Sequence, residues 1–190
     1  MFLKNSVISI FLILISCQPV EILKPTKIDT SKLEKISINT KEIEINIKYN
    51  SVFSQNNIED QIARPPIEVI HQWNKENIIK FGNENKLVIN ILDATIKKSE
   101  IENLDGTKYE EKTIFQYELF FLVEYELYDS SSFLKANTIV ETSRSTTSQK
   151  YISLNETEII INDLLFLALN DYINETKKQL STYMGNYLSI

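Results

Sequence analysis

The sequence predicts a single α+β domain: a mostly antiparallel four-stranded sheet with two helices on one face, in the order β-α-β-β-β-α. Three observations predict it. Several runs alternate apolar and polar residues at period two, two other stretches repeat apolar residues at intervals of three and four, and a short polar turn joins the last two strands as a hairpin. An antiparallel sheet of this kind buries one face and wets the other, which puts both helices on the same side.

Ile36-Ser37-Ile38 and Glu42 to Tyr49 alternate, predicting a half-buried strand with Ile43, Ile45, Ile47 and Tyr49 facing inward. Ser51 to Ala63 is polar and broken, a loop. Pro65-Pro66 suits a first helical turn, where proline's missing N–H would have no intrahelical partner anyway. Ile70, Trp73, Asn77, Ile78 and Phe81 then recur at helical spacing and Gly82 supplies a stop, predicting a helix of about four turns. Lys86 to Ala94 is the second strand, followed by turn residues at Asn103-Leu104-Asp105-Gly106.

The third strand, Ile114 to Tyr128, sets Phe115, Tyr117, Leu119, Phe121, Val123, Tyr125 and Leu127 on one face. Gln116, Glu118, Glu124 and Glu126 belong to the opposite, wet face. Asp129-Ser130-Ser131-Ser132 turns the chain into a fourth strand, Phe133 to about Ser143, where Leu134, Ala136, Thr138 and Val140 face one way. Ser153-Leu154-Asn155-Glu156 has the spacing of a capping box. Behind it Ile161, Leu164, Leu165, Ala168, Tyr172, Leu180, Tyr183 and Tyr187 form one helical stripe.

Ahead of this domain, Met1 to Ser6 carries one positive charge, and Val7 to Ile15 is apolar except for Ser9. That is the layout of a secretory signal, and it is shorter than the roughly 20 apolar residues that span a bilayer. Leu14-Ile15-Ser16-Cys17 resembles the bacterial lipobox, in which the cysteine becomes the first mature residue and is acylated on its sulfur and amino group. Cys17 is the sole cysteine of the 190 residues, and an unpaired thiol in an exported protein is otherwise an anomaly. The expected organisation is a signal peptide over 1–16, the lipidated Cys17 with a Pro-containing extended tether over 17–35, and a periplasmic α+β domain over 36–190.

Removing residues 1–16 takes away Lys4 and no acid, leaving 19 basic and 26 acidic side chains and a net charge of −7. So acidic a chain is a poor match for nucleic acid or anionic head groups, and membrane attachment is expected through acyl chains on Cys17. The catalytic inventory is thin. His71 is the one histidine, there is no Gly-x-Ser-x-Gly elbow, and three glycines cannot build a phosphate-cradling loop. A zinc site needs several His or Cys ligands, so neither a metal nor a cofactor is expected. Glu124 and Glu126 pose the alternative of a carboxylate-only hydrolase of envelope polymers, and a purely structural tether is a further alternative. On the wet face of the third strand, Phe120 and Leu122 sit among glutamates with Tyr128 farther along, a candidate partner-docking patch unless the tether or a long loop covers it.

A lipidated cysteine, a tether and this element order resemble the lipopolysaccharide-assembly lipoproteins of the outer membrane and the auxiliary lipoproteins of envelope ABC transporters. Pro65-Pro66, Trp73, Gly82, Asp93-Ala94, Arg144-Ser145 and Ser153 to Glu156 resemble a group of uncharacterised alphaproteobacterial lipoproteins. The lipobox, the acidic domain and the thin catalytic inventory together give the expectation of a non-enzymatic envelope lipoprotein whose domain binds an envelope protein partner as an assembly or transport accessory. Gln18, in place of the aspartate that retains enteric lipoproteins at the inner membrane, implies an outer-membrane location facing the periplasm.

Overall fold

A computed structural model describes residues 28–50, 54–104, 106 and 111–189. Cys17, the lipobox and the greater part of the expected tether lie outside the described residues. The architecture is α+β, as the sequence predicts, with the main sheet in the order β2-β4-β5-β6. Its strands are β2 (Glu42–Ile47), β4 (Lys86–Glu102), β5 (Thr113–Tyr128) and β6 (Leu134–Ser148). β4, β5 and β6 form an antiparallel meander, while β2 joins the edge of β4 in parallel. Helices α1 (Pro66–Asn77) and α2 (Leu154–Met184) cover one face. A small second sheet is built from β1 (Ile36–Asn39), β3 (Ile78–Phe81) and β7 (Leu188–Ser189), in the order β3-β1-β7.

The run read as one strand from Ile36 to Tyr49 is therefore split between two sheets. The break is at buried Thr40, whose Oγ1 shares its one proton between the Asn85 carbonyl at 2.6 Å and the Glu42 carbonyl at 2.8 Å. Ile47, at the end of the edge strand β2, is 53% exposed and not inward-facing. The first helix is also shorter than its apolar spacing predicts. It ends at Asn77, and Ile78 to Phe81 pairs in parallel with Ile36 to Asn39. Two consecutive β-branched residues favour the extended form, and a partner strand is available, so pairing overrides the helical period. Gly82 remains a turn residue at φ +93°, where an added Cβ would lie 2.0 Å from Asn39 Oδ1.

β4 runs past Ala94 because of a bulge between Ile91 and Asp93. Leu87, Ile89 and Ile91 face the core before it, and Ala94 and Ile96 after it. That change of parity ends the visible alternation without ending the strand. The Ser/Thr-rich stretch to Ser148 likewise stays in β6, paired as far as Phe115. The inward row expected on β5 is buried from Tyr117 to Leu127. At α2 the capping box is formed: Ser153 Oγ accepts from the Glu156 N–H at 3.2 Å, and the Glu156 carboxylate accepts from the Ser153 N–H at 2.8 Å. Tyr183 is 58% exposed and Tyr187 lies beyond the end of α2, so the buried stripe of that helix ends at Leu180 and Met184.

Residues 28–35, read above as the end of the tether, are packed on α1. Arg64 Nη1 donates to the Ile28 carbonyl at 2.8 Å, Thr30 Oγ1 donates to Glu76 at 2.6 Å, and Asn77 Nδ2 donates to the Thr30 carbonyl at 2.9 Å. The Thr30 hydroxyl is the main cause that holds the Glu76 carboxyl below its ordinary range. Ile28 is 7% exposed and joins the core, which is why the segment docks despite its polar composition.

The middle of the core is polar at one point. Tyr125 of β5 donates to Asn74 Oδ1 at 2.7 Å, Asn74 Nδ2 donates to the Tyr172 hydroxyl at 3.0 Å, and the two phenols bond each other. Trp73 and Phe121 close the cluster with edge contacts to Tyr172, their ring centroids 5.5 and 5.8 Å from it. Burial pushes the Tyr172 phenol up to about 12. It also raises Tyr125 well above its ordinary value, with the neighbouring Tyr172 adding to the shift. Unfolded tyrosines ionise near pH 10, so above that pH the unfolded chain releases these protons while the folded chain retains them. Stability is thus intact below pH 10, and Tyr172 alone removes about 2 to 3 kcal/mol of it between pH 10 and 12. Urea unfolding midpoints measured from pH 8 to 11.5 should hold level and then fall, and Tyr172→Phe should flatten the fall.

Candidate functional site

Two surfaces stand out from the packed body. The first is the open face of the main sheet. Side chains of opposite parity to the core row point there, and the described part of the tether lies on the helix side, so it does not cover them. Phe120 sits between Thr95 of β4 and Ser143 of β6, and Leu122 between Asp93 and Glu141. These short or charged neighbours leave both half-buried. Phe120 also borders a shallow recess of about 290 Å³ with Asp93, Thr95, Lys97 and Glu118.

The three residues of the expected patch are not contiguous. Tyr128 lies six positions beyond Leu122, roughly 20 Å along an extended strand, with Glu124 and Glu126 between them. It pairs with Lys86 and Leu134 and is half-buried. Partial desolvation, and then the charge of Glu126, raise its phenol above the ordinary value. The neighbour of Leu122 that sequence reasoning missed is Ile139 on β6, opposite Glu124 and 50% exposed. Its signal was available: with Thr138 and Val140 inward, an isoleucine at 139 must point out. Phe120, Leu122 and Ile139 thus form one apolar island in an acidic surface.

Glu124 and Glu126 both accept from the side-chain amide of Asn90, at 3.0 and 2.9 Å. Asn90 is almost fully buried, so this pairing satisfies a polar group between strands and ties β5 to β4. His71 is half-buried on α1. Among the described residues, no group of three or more His, Cys, Asp or Glu is placed to hold a metal ion. No helix among them is long and apolar enough to cross a membrane.

The second surface is a groove between the segment around Glu59–Gln61, a single 3-10 turn, and the first turns of α2. It comprises a cavity of about 480 Å³ and an adjoining one of about 270 Å³, which share Gln61, Ile62, Leu154, Thr157 and Ile161. Leu154 is 91% exposed at its rim. At the far end Lys98 Nζ stands 3.8 Å over the Phe115 ring. Lys150, paired with Glu100, closes that end, and the pairing raises the lysine and lowers the carboxyl. At the near end are Asp60, Arg64 and Glu158. The open face and the groove both offer apolar contact edged by charge, which is binding chemistry.

No protein-family model matches the chain, and no curated protein matches it in sequence. Among solved structures it is similar to two proteins described as lipoproteins. One is the rare lipoprotein B from Shewanella oneidensis, at 12% identity and a TM-score of 0.38, covering 72% of this chain and 94% of that one. The other is a minor lipoprotein from Acinetobacter baumannii, at 11% identity and a TM-score of 0.33, covering 75% and 96%.

Proposed function

We propose that the chain is a lipid-anchored cell-envelope protein, acylated on Cys17, whose α+β domain is a non-catalytic binding or assembly accessory to an envelope protein partner. The observation that carries this reading is Leu14-Ile15-Ser16-Cys17 directly behind an apolar run of signal-peptide length. Gln18 favours the outer membrane, with the domain facing the periplasm. The open face supplies the docking surface: Phe120, Leu122 and Ile139 give an apolar centre, and Glu118, Glu124 and Glu141 a charged surround.

Chemical crosslinking in intact cells, followed by mass spectrometry, tests the partner. The wild-type chain should yield an adduct with another envelope protein. Phe120→Asp should reduce that adduct about tenfold or more, the scale on which losing a central apolar contact weakens an interface, and should leave folding and membrane attachment unchanged. A protein recovered alone at every depth of sampling, or an adduct indifferent to Phe120→Asp, would contradict the docking claim.

A further inference from the structure

The main sheet ends on two unequal edges. β2 closes one side with six residues, whereas β6 closes the other with fifteen, about 50 Å of extended chain. Which backbone groups of β6 point outward follows from the ladder. On β4 the Lys98 N–H donates to the Asn56 carbonyl at 2.8 Å and the Ile96 carbonyl accepts from the Ile58 N–H at 3.2 Å, so Thr95 and Lys97 are the residues that bond towards β5. Direction alternates along each antiparallel strand. β5 therefore bonds β4 through Glu118 and Phe120, and β6 through Leu119, Phe121 and Val123, the partners of Arg144, Thr142 and Val140. Ile139, Glu141, Ser143, Ser145 and Thr147 turn their N–H and C=O groups to the open edge.

Among the described residues, no hydrogen bond outside the β5 ladder reaches the backbone of 134–148. α2 bonds this strand through side chains alone, Gln179 with Thr138 and Asp171 with Arg144. A long open edge is a template for another strand, and folds blunt it with proline, bulges or inward charges. Residues 134–148 contain no proline or glycine, and the register shift lies at the start of the strand. The single charge turned to the helix side, Arg144, is neutralised by Asp171.

We infer that this edge takes an extended strand of the envelope partner, which continues the sheet beside the apolar island. The inference rests on the partner reading above and adds how that partner is held. Only a polypeptide backbone offers N–H and C=O groups at the matching repeat. The side chains set its chemistry. An added strand lies directly against Ile139 and Glu141 on the open face, and Glu141 is exposed and makes no ion pair among the described residues. Glu118 and Glu124 stand one strand further in, and the cations Lys86 and Lys97 lie on β4, a strand beyond those. Lys135, at the start of β6, is paired with Asp129. The fitting strand thus carries an apolar residue against Ile139 and a basic residue two positions away against Glu141, with little side-chain demand along Ser143, Ser145 and Thr147.

A photo-crosslinking amino acid placed at Ser143, and separately at Thr147, in the full-length chain in cells tests the inference. Both positions should give adducts to the same envelope protein, at sites four residues apart in one segment, the signature of strand pairing. Ser145→Pro removes an outward N–H and leaves the ladder to β5 intact, a placement that edge strands tolerate. It should cut the adduct from Ser143 about tenfold, the scale of one or two lost backbone hydrogen bonds, at an unchanged melting temperature. Glu141→Lys, an exposed change that leaves the backbone alone, should lower it several-fold. No adduct, sites without a common register, an adduct to a second copy of this chain, or an adduct indifferent to both substitutions would each overturn the inference. An adduct that falls with Phe120→Asp but not with Ser145→Pro or Glu141→Lys would leave the open-face reading standing and remove the edge; the reverse pattern would do the opposite.

Discussion

Asn74→Ala is expected to lower the free energy of unfolding by about 3 to 4 kcal/mol, because two buried phenols lose a shared partner and a small void opens in the core. Asn74, Tyr125 and Tyr172 come from α1, β5 and α2, and all three are fully buried. Their hydrogen bonds fix where both helices sit on the sheet, a placement that apolar contact alone would leave less determined. Asn74 also donates to the Ile70 carbonyl at 2.9 Å, so the side chain is held by its own helix before it reaches its partners. Tyr172→Phe is a milder change: the Tyr125 to Asn74 bond survives it, and the expected cost is about 1 to 1.5 kcal/mol. Thermal and urea unfolding of the two variants should separate them by at least 1 kcal/mol. Equal and small losses would mean that the network contributes little to holding the helices.

Much of this fold is legible in the residues, for reasons that can be given one at a time. β5 is read correctly because Phe115 to Leu127 alternate without a break, and a two-sided strand with one wet face has no other way to sort them. The start of α2 is legible in Ser153 and Glu156, whose reciprocal bonds are a local matter. The errors fall where a distant partner decides. Ile78 to Phe81 fits a helical period, yet β1 lies beside it and turns it into a strand. Thr40 looks like any polar residue in an alternating run, and only its bonds to Glu42 and Asn85 reveal a change of sheet. The two-residue strand β7 has no periodicity to read and depends wholly on Ile38 and Ser37 as partners.

The candidate sites divide in the same way. Phe120 and Leu122 are legible as apolar residues at outward positions, whereas their grouping with Ile139 and their separation from Tyr128 depend on register. The groove has no signature along the chain, because its walls come from residues 58–64, the start of α2 and the ends of β4 and β5. The docking of residues 28–35 was hidden by composition: Pro25, lysines and threonines read as a tether, and Ile28 and Thr30 are drawn in by Arg64, Glu76 and Asn77.

The largest effect in cells should come from Cys17→Ala. Attachment through acyl groups scales at about 0.8 kcal/mol per buried methylene, and stable anchoring needs more than one chain, which the proposed acylation of both the sulfur and the amino group of Cys17 would supply. The acidic charge of the chain offers anionic head groups no electrostatic attraction of its own. Removing Cys17 should therefore change the compartment of the protein and leave its melting temperature as in the wild type.

Palmitate labelling combined with membrane fractionation, on wild type and Cys17→Ala side by side, tests this account most directly. The wild-type chain should carry label, sediment with membranes, resist release by high salt and yield to detergent. Cys17→Ala should carry no label and leave the membrane fraction, and the fraction that is recovered should melt at the wild-type temperature. Label that persists in Cys17→Ala, or a variant that stays with the membrane as the wild type does, would contradict the account.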